Sequence, residues 1–157
     1  MIMDDSGLVI DGLERVFSEL GDSSIGALAT CHHNHPFVRS VSCIFLNGLI
    51  YFQTDKTMTK AEHIRENCNV ALCFKHIQIN GTCEEIGHPM LPNNAELHSL
   101  FKRCYPAAAE NYSMLKDERL YKVTPSHIEV WRYLNGKPYI ESINYETKLY
   151  SLQEYSP

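Results

Sequence analysis

The stretch PFVRSVSCIFLNGLIYFQT, residues 36–54, decides the fold class. Two β-rich runs, Phe37 to Leu46 and Leu49 to Thr54, flank Asn47-Gly48. Asn and Gly both tolerate positive φ, so the dipeptide predicts a tight hairpin between antiparallel strands. Working outward, Ser24 to Cys31 reads as the preceding strand, joined to the next by the polar turn His32-His33-Asn34-His35-Pro36. Downstream, Asn69 to Lys75 and Ile77 to Ile86 read as two more strands, and Leu120 to Val123 and His127 to Tyr133 return the chain to β structure.

Helices punctuate this pattern. Leu13, Val16, Phe17 and Leu20 recur at helical spacing and predict an amphipathic helix over about 11–20, ended by Gly21. A second helix is expected from about Thr57 to Asn67, with Met58, Ala61 and Ile64 on one face. Leu97, Leu100, Phe101 and Cys104 mark a third, and Ala107 to Leu115 a short fourth. The Tyr-rich tail from about 134 to 157 is expected to form an arm. No linker divides the chain, so residues 1–157 are read as one mainly-β domain with added helices: a split antiparallel β-barrel, α+β in class.

Composition narrows the function. The 157 residues are 44% hydrophobic and 21% charged, as in a globular protein, and the net charge of −5 gives nucleic acid or an anionic membrane no electrostatic purchase. No apolar run reaches the roughly 20 residues of a membrane span, and the acidic start lacks signal-peptide character, so the cytoplasm is the expected location. The six cysteines form no CxxC pair and mostly lie in apolar runs, which favours free thiols in a reducing compartment.

The start of the second helix carries a conflict. Lys56 precedes it and Lys60 lies in its first turn, where the helix dipole disfavours positive charge. Thr54, Thr57 and Thr59 crowd the same turn. Bound phosphate would resolve the conflict; Thr57 capping the helix with both lysines in water is the alternative. Arg39 adds a second cation, on a strand face shared with Phe37, Val41, Cys43 and Phe45. A guanidinium there needs a partner, either a phosphate or a carboxylate such as Glu62 or Glu66.

In order and spacing, the pieces IGALATC (25–31), PFVRSVSCIF (36–45), NGLIYFQT (47–54), TKAEHIRENCNVALCF (59–74) and INGTCEEIG (79–87) resemble the FMN-binding split barrels related to pyridoxamine 5′-phosphate oxidase. FKRCYP (101–106) and VTPSHIEVWRY (123–133) resemble the family's closing helix and strands. The resemblance implies FMN, its phosphate held by Arg39 and Lys60 and wrapped by Thr57, Met58 and Thr59. It further implies Gln53 and Thr54 at the ribityl chain and ring edge, and Val41 and Ser42 against the flavin. A homodimer would carry flavin at its interface, with Gln78 and Trp131 as candidate contributions from the partner.

True vitamin-B6 oxidases follow an E-F-W strand with Arg-Leu-His. Here Glu129-Val130-Trp131 is followed by no arginine after Arg132, and no histidine follows His127. The chain looks closer to the nitroimidazole-resistance-type branch. The implied activity is an FMN-dependent oxidoreductase acting on a small organic substrate, with a nicotinamide nucleotide as transient electron source. No catalytic side chain is singled out and no metal is expected. His32, His33 and His35 are read as a solvated turn. A haem-binding split barrel and a non-catalytic flavin-binding protein are the alternatives.

Overall fold

The computed structural model describes residues 5–157. In chain order it comprises α1 (Ser6–Leu20), β1 (Ser23–His32), β2 (His35–Leu46), β3 (Leu49–Asp55), α2 (Thr59–Glu66), β4 (Asn69–Phe74), β5 (Ile77–Glu85), α3 (Ala95–Cys104), α4 (Pro106–Tyr112), β6 (Glu118–Leu134), β7 (Lys137–Asn144) and β8 (Leu149–Glu154). The sheet runs β3-β2-β1-β4-β5-β6-β7-β8, and β3 also pairs with β6. That pairing, from Ile50↔Val123 to Asp55↔Glu118, closes six strands into an antiparallel barrel with β7 and β8 as an extension. The split-barrel α+β class expected from the sequence is the one observed.

Alternation builds the barrel. Leu28, Val41, Cys43, Phe45, Ile50, Phe52, Leu72, Phe74, Ile79, Val123, Ile128 and Val130 point inward into one buried cluster. Their neighbours on the outer face of β2, β3 and β6 (Ile44, Tyr51 and Leu120) pack instead against Leu97, Leu100, Phe101 and Ala109 of α3 and α4. Two-sided burial on these strands is why residues 43–45 and 50–52 read as continuous apolar runs.

Turn chemistry fixes the register. Asn47 and Gly48 have φ of 53° and 74° and join the paired Leu46 and Leu49, the positive-φ two-residue turn that the dipeptide promised. His33 (φ 49°) and Asn34 (φ 63°) make a matching turn between His32 and His35. The two strands expected at 120–123 and 127–133 are one continuous strand, β6. Pro125 falls where β5 and β6 shift register at Asn80/Gly81, an irregularity that accommodates a proline. At Gly81 a Cβ would stand 2.4 Å from the Thr124 carbonyl oxygen, so only glycine fits there.

One further expectation needs correction. The tail is a hairpin, not an arm: β7 pairs with β6 through Asn135-Gly136 (φ 53° and 78°), and β8 pairs with β7. His63 on α2 is buried, 3% exposed, beneath the first hairpin. Cys73, although inside an apolar run, points outward with Cys68 and is exposed.

The cysteines are all free. Burial pushes Cys43 and Cys83 up to about 12, which makes them poor nucleophiles. Brief alkylation of the native protein should therefore label Cys68 first and spare Cys43 and Cys83. Peptide mapping by mass spectrometry checks the order; early labelling of Cys43 would contradict the burial described. Among the described residues no helix is long and apolar enough to cross a membrane.

Candidate functional site

The closed barrel carries β2 and β3 side by side, and α2 leaves the end of β3 to cap one barrel mouth through the buried Ala61, His63 and Ile64. A cavity of about 190 Å³ lies where these elements meet α3 and α4, lined by Ser40, Val41, Ser42, Gln53, Thr54, Lys60, Phe101, Ala108, Tyr112 and Glu118. A second hollow of about 420 Å³, lined by Asp55, Met58 and Leu115, shares Gln53, Thr54, Tyr112 and Glu118 with it. Together they form one cleft of the size that holds a cofactor.

One cation, Lys60, lines the cleft, and a second, Arg39, lies near enough to lower its pKa. The Arg39 Nη1 group donates to Thr30 Oγ1 at 2.8 Å and to the Leu28 carbonyl at 3.2 Å, both neutral acceptors. Neither carboxylate considered for it is its partner in an ion pair: Glu66 bonds His32 instead, and Glu62 makes no ion pair among the described residues. Burial lowers the pKa of Arg39. Lys60 is lowered by burial first and by repulsion from Arg39 second, with Glu118 and Asp55 pulling the other way. Among the described residues Lys60 has no carboxylate within ion-pair distance, whereas Lys56 pairs with Asp117 at 3.5 Å. Two like charges held near each other with no carboxylate in ion-pair contact mark a site for an anion.

α2 begins at Thr59, not Thr57, with Met58 at the cap position in an extended conformation. Thr57 does not cap it: its backbone N–H and its hydroxyl both donate to Asp55 Oδ1 at 2.7 Å. Both donors of Thr57 are thus engaged within the chain. The amides of Thr59 and Lys60, first in the helix, have no intrahelical acceptor and extend the cationic end.

Gln53 supplies the next feature. Its Oε1 accepts from Ser113 at 3.2 Å, while Nε2 is buried without a hydrogen-bond partner. Glu118 lies near enough for the amide to favour its ionised form slightly, yet no well-formed bond joins them. Burial first and Asp55 second push Glu118 up to about 7, against a smaller downward pull from Lys60.

A raised carboxyl keeps its proton on folding. It contributes no penalty below the ordinary value near 4.5 and costs the fold stability as pH climbs from there through about 7. Relative to wild type, Glu118→Gln should gain thermal stability progressively across that window and plateau above it. Melting curves at pH 4.5, 6 and 8 check this; a constant difference would contradict it.

Of the residues singled out from sequence, Val41, Ser42, Gln53, Thr54 and Lys60 line the cleft, Met58 lines its outer part, and Arg39 lies near enough to Lys60 to lower its pKa. Thr57 and Thr59 are exposed at its edge. Gln78 and Trp131 do not reach it within their own chain. Gln78 is exposed on β5 opposite Glu129, and Trp131 packs against Tyr133 and Tyr155 on β6. Sequence reading missed Ser40, Asp55, Phe101, Ala108, Tyr112, Leu115 and Glu118. Only Phe101 carried a periodic signal; Glu118 enters because β3 pairs with β6, and Ala108 and Tyr112 because α4 folds over the cleft.

The pyridoxamine 5′-phosphate oxidase family matches residues 13–132, from within α1 to near the end of β6. No curated protein matches the chain significantly. Among solved structures, a NimC/NimA family protein from Clostridium acetobutylicum superposes with a TM-score of 0.57 at 15% identity, covering 100% of each chain. A heme binding protein from Mycobacterium smegmatis gives 0.64 at 13% identity, covering 94% of this chain and 61% of its own. A FAD-binding protein from Mesorhizobium loti gives 0.53 at 14% identity, covering 66% and 82%. At such identities these likenesses concern the fold alone, but the match over residues 13–132 goes further: the chain belongs to the pyridoxamine 5′-phosphate oxidase family.

Proposed function

We propose that the protein binds FMN in this cleft, as part of a homodimer, and passes electrons between the flavin and a small organic substrate. The observation that carries the reading is the pair Arg39 and Lys60, held close enough to repel and lacking a carboxylate partner, beside the unpartnered Gln53 Nε2. A phosphate monoester supplies the missing negative charge, and the polar flavin edge or ribityl chain supplies an acceptor for Gln53. The family assignment and the FAD-binding neighbour support a flavin.

In this reading Arg39 and Lys60 hold the phosphate, with the Thr59 and Lys60 amides adding donors at the helix start. Thr54 and Gln53 face the ribityl chain, and Val41 and Ser42 lie along the ring. Tyr112 and Leu115 cover the outer side and keep water away. When bound, flavin supplies two-electron transfer; the chain supplies position, charge and solvent exclusion. A nicotinamide nucleotide docking transiently is the electron source.

A second copy is proposed on the outer face of β2-β1-β4-β5-β6. That face presents the small residues Ala27, Ala29, Ser40, Ser42 and Ala71, with exposed Ile25 and Val38 among them. Gln78 and Trp131 lie on the same face, so a partner seated there is positioned to offer them to the neighbouring cleft. Six free thiols suit a reducing compartment such as the cytoplasm.

The direct test is to purify the chain, release its cofactor by denaturation and identify it. A yellow protein releasing FMN supports the reading; haem, with its intense Soret absorption, or no flavin uptake on reconstitution would refute it. Turnover of reduced nicotinamide nucleotides with nitro and quinone acceptors then separates an enzyme from a flavin-binding protein without turnover.

A further inference from the structure

The first hairpin ends in a cluster that the flavin reading leaves unused. His32 follows Thr30 on the inner face of β1 and reaches past the barrel rim to the last residue of α2, where its Nε2 meets Glu66 Oε2 at 2.6 Å. The adjoining His33 packs its ring edgewise against His32, centroids 4.1 Å apart. One ligand atom each from His32, His33 and Glu66 lies within 4.8 Å of the others. Sequence reading treated the histidines as a solvated turn because no carboxylate stood at ligand spacing; the third ligand comes from a helix more than thirty residues on.

We infer that His32, His33 and Glu66 form a binding site for one divalent first-row metal ion of the zinc type, clipping the β1–β2 hairpin to the end of α2. Two imidazole nitrogens and one carboxylate oxygen are the donor set that borderline divalent ions prefer, and they bind such ions at about 2.0–2.2 Å. Ligands at that radius stand roughly 3–4 Å apart, so the cluster needs only side-chain closure.

Its surroundings suit a cation. Glu66 ends α2, where unpaired carbonyls carry the negative end of the helix dipole. Beneath, His63 stacks on His32 at 4.6 Å with a 14° interplanar angle, and its Nδ1 lies 2.9 Å from Thr30 Oγ1, which fixes the ring on which His32 rests. The nearest arginines point elsewhere: Arg65 donates to the Lys56 carbonyl, and Arg39 donates to Thr30. His32 is partly buried while His33 and Glu66 are exposed, leaving the remaining coordination positions to water.

The experiment is an isothermal titration of the chelator-stripped full-length chain with Zn(II), repeated with Co(II), whose visible bands report ligand geometry. Because Cys68 and Cys73 are exposed and can bind zinc themselves, it is run with both replaced by serine. One ion per chain is expected, with affinity lowered at least about tenfold by either His33→Asn or Glu66→Gln. Asparagine tolerates the positive φ of His33 (49°), and the Glu66 side chain is exposed, so both variants should melt as wild type does. His76→Asn, an exposed histidine outside the cluster, should leave affinity unchanged. Absence of binding, or equal affinity in His33→Asn, Glu66→Gln and His76→Asn, would overturn the site.

Discussion

Lys60→Glu lowers the affinity for FMN by at least about 100-fold while leaving the apo fold intact. The substitution removes one attraction to the phosphate and adds one repulsion in the same place. At the effective dielectric of a partly buried site, a unit charge pair at 4 Å is worth up to about 4 kcal/mol, and tenfold in affinity takes only about 1.4 kcal/mol. Even with strong solvent screening the loss remains large. Lys60 is the second residue of α2, where a negative side chain complements the helix dipole, so the variant's helix is no weaker than the wild type's. Quenching of FMN fluorescence measures affinity and an apo melting curve measures the fold. Unchanged affinity in a variant that melts normally would remove Lys60 from the phosphate site.

Glu141→Ala destabilises the chain by about 3–5 kcal/mol at neutral pH, the range for breaking a buried ion pair from one side. Glu141 is 1% exposed where β7 leaves the barrel, and it gathers three partners. Arg132 Nε donates to Oε1 at 2.9 Å, the Tyr150 hydroxyl donates to Oε2 at 2.6 Å, and Arg15 pairs with Oε2. The cluster joins α1, β6, β7 and β8, so it ties the hairpin extension to the first helix. Alanine leaves Arg132 facing only Glu19, at 2.7 Å.

The pH dependence has a definite sign. Burial alone would raise the Glu141 carboxyl, but the bonds from Tyr150, Arg132 and Arg15 outweigh it and hold it below its ordinary 4.5. Its stabilisation is therefore complete above that value and disappears as pH falls through the lower folded value. Urea unfolding at pH 7 and at pH 3 should show the gap between wild type and variant closing in acid. A gap that stays constant would mean that packing, not charge, is what alanine removes.

What could be read in advance follows from which interactions are local. Asn47-Gly48 and the alternation on either side of it fixed the β2–β3 hairpin, because turn and strand periodicity are properties of neighbouring residues. Asn135-Gly136 carries the same signal, but the Tyr-rich residues after it lack a clear apolar alternation because they pair on a half-exposed extension rather than in the barrel. The conflict of Lys60 with the start of α2, and Arg39 on an apolar face, both pointed to the cleft, since each is a local violation that asks for a compensating group. Glu118 and Tyr112 gave no such sign. They reach the site only through the β3–β6 pairing and the docking of α4, contacts between residues some sixty positions apart. Thr57 gives both of its donors to Asp55, two residues before it, a contact the sequence did not single out.

The most direct measurement of the central claim compares FMN with riboflavin, which differs only in lacking the phosphate. If Arg39 and Lys60 exist to hold that group, wild type binds FMN at least about 100-fold more tightly, and Arg39→Ala or Lys60→Glu brings the two ligands to within a few-fold of each other. Equal affinity of the wild-type protein for FMN and riboflavin would contradict the account.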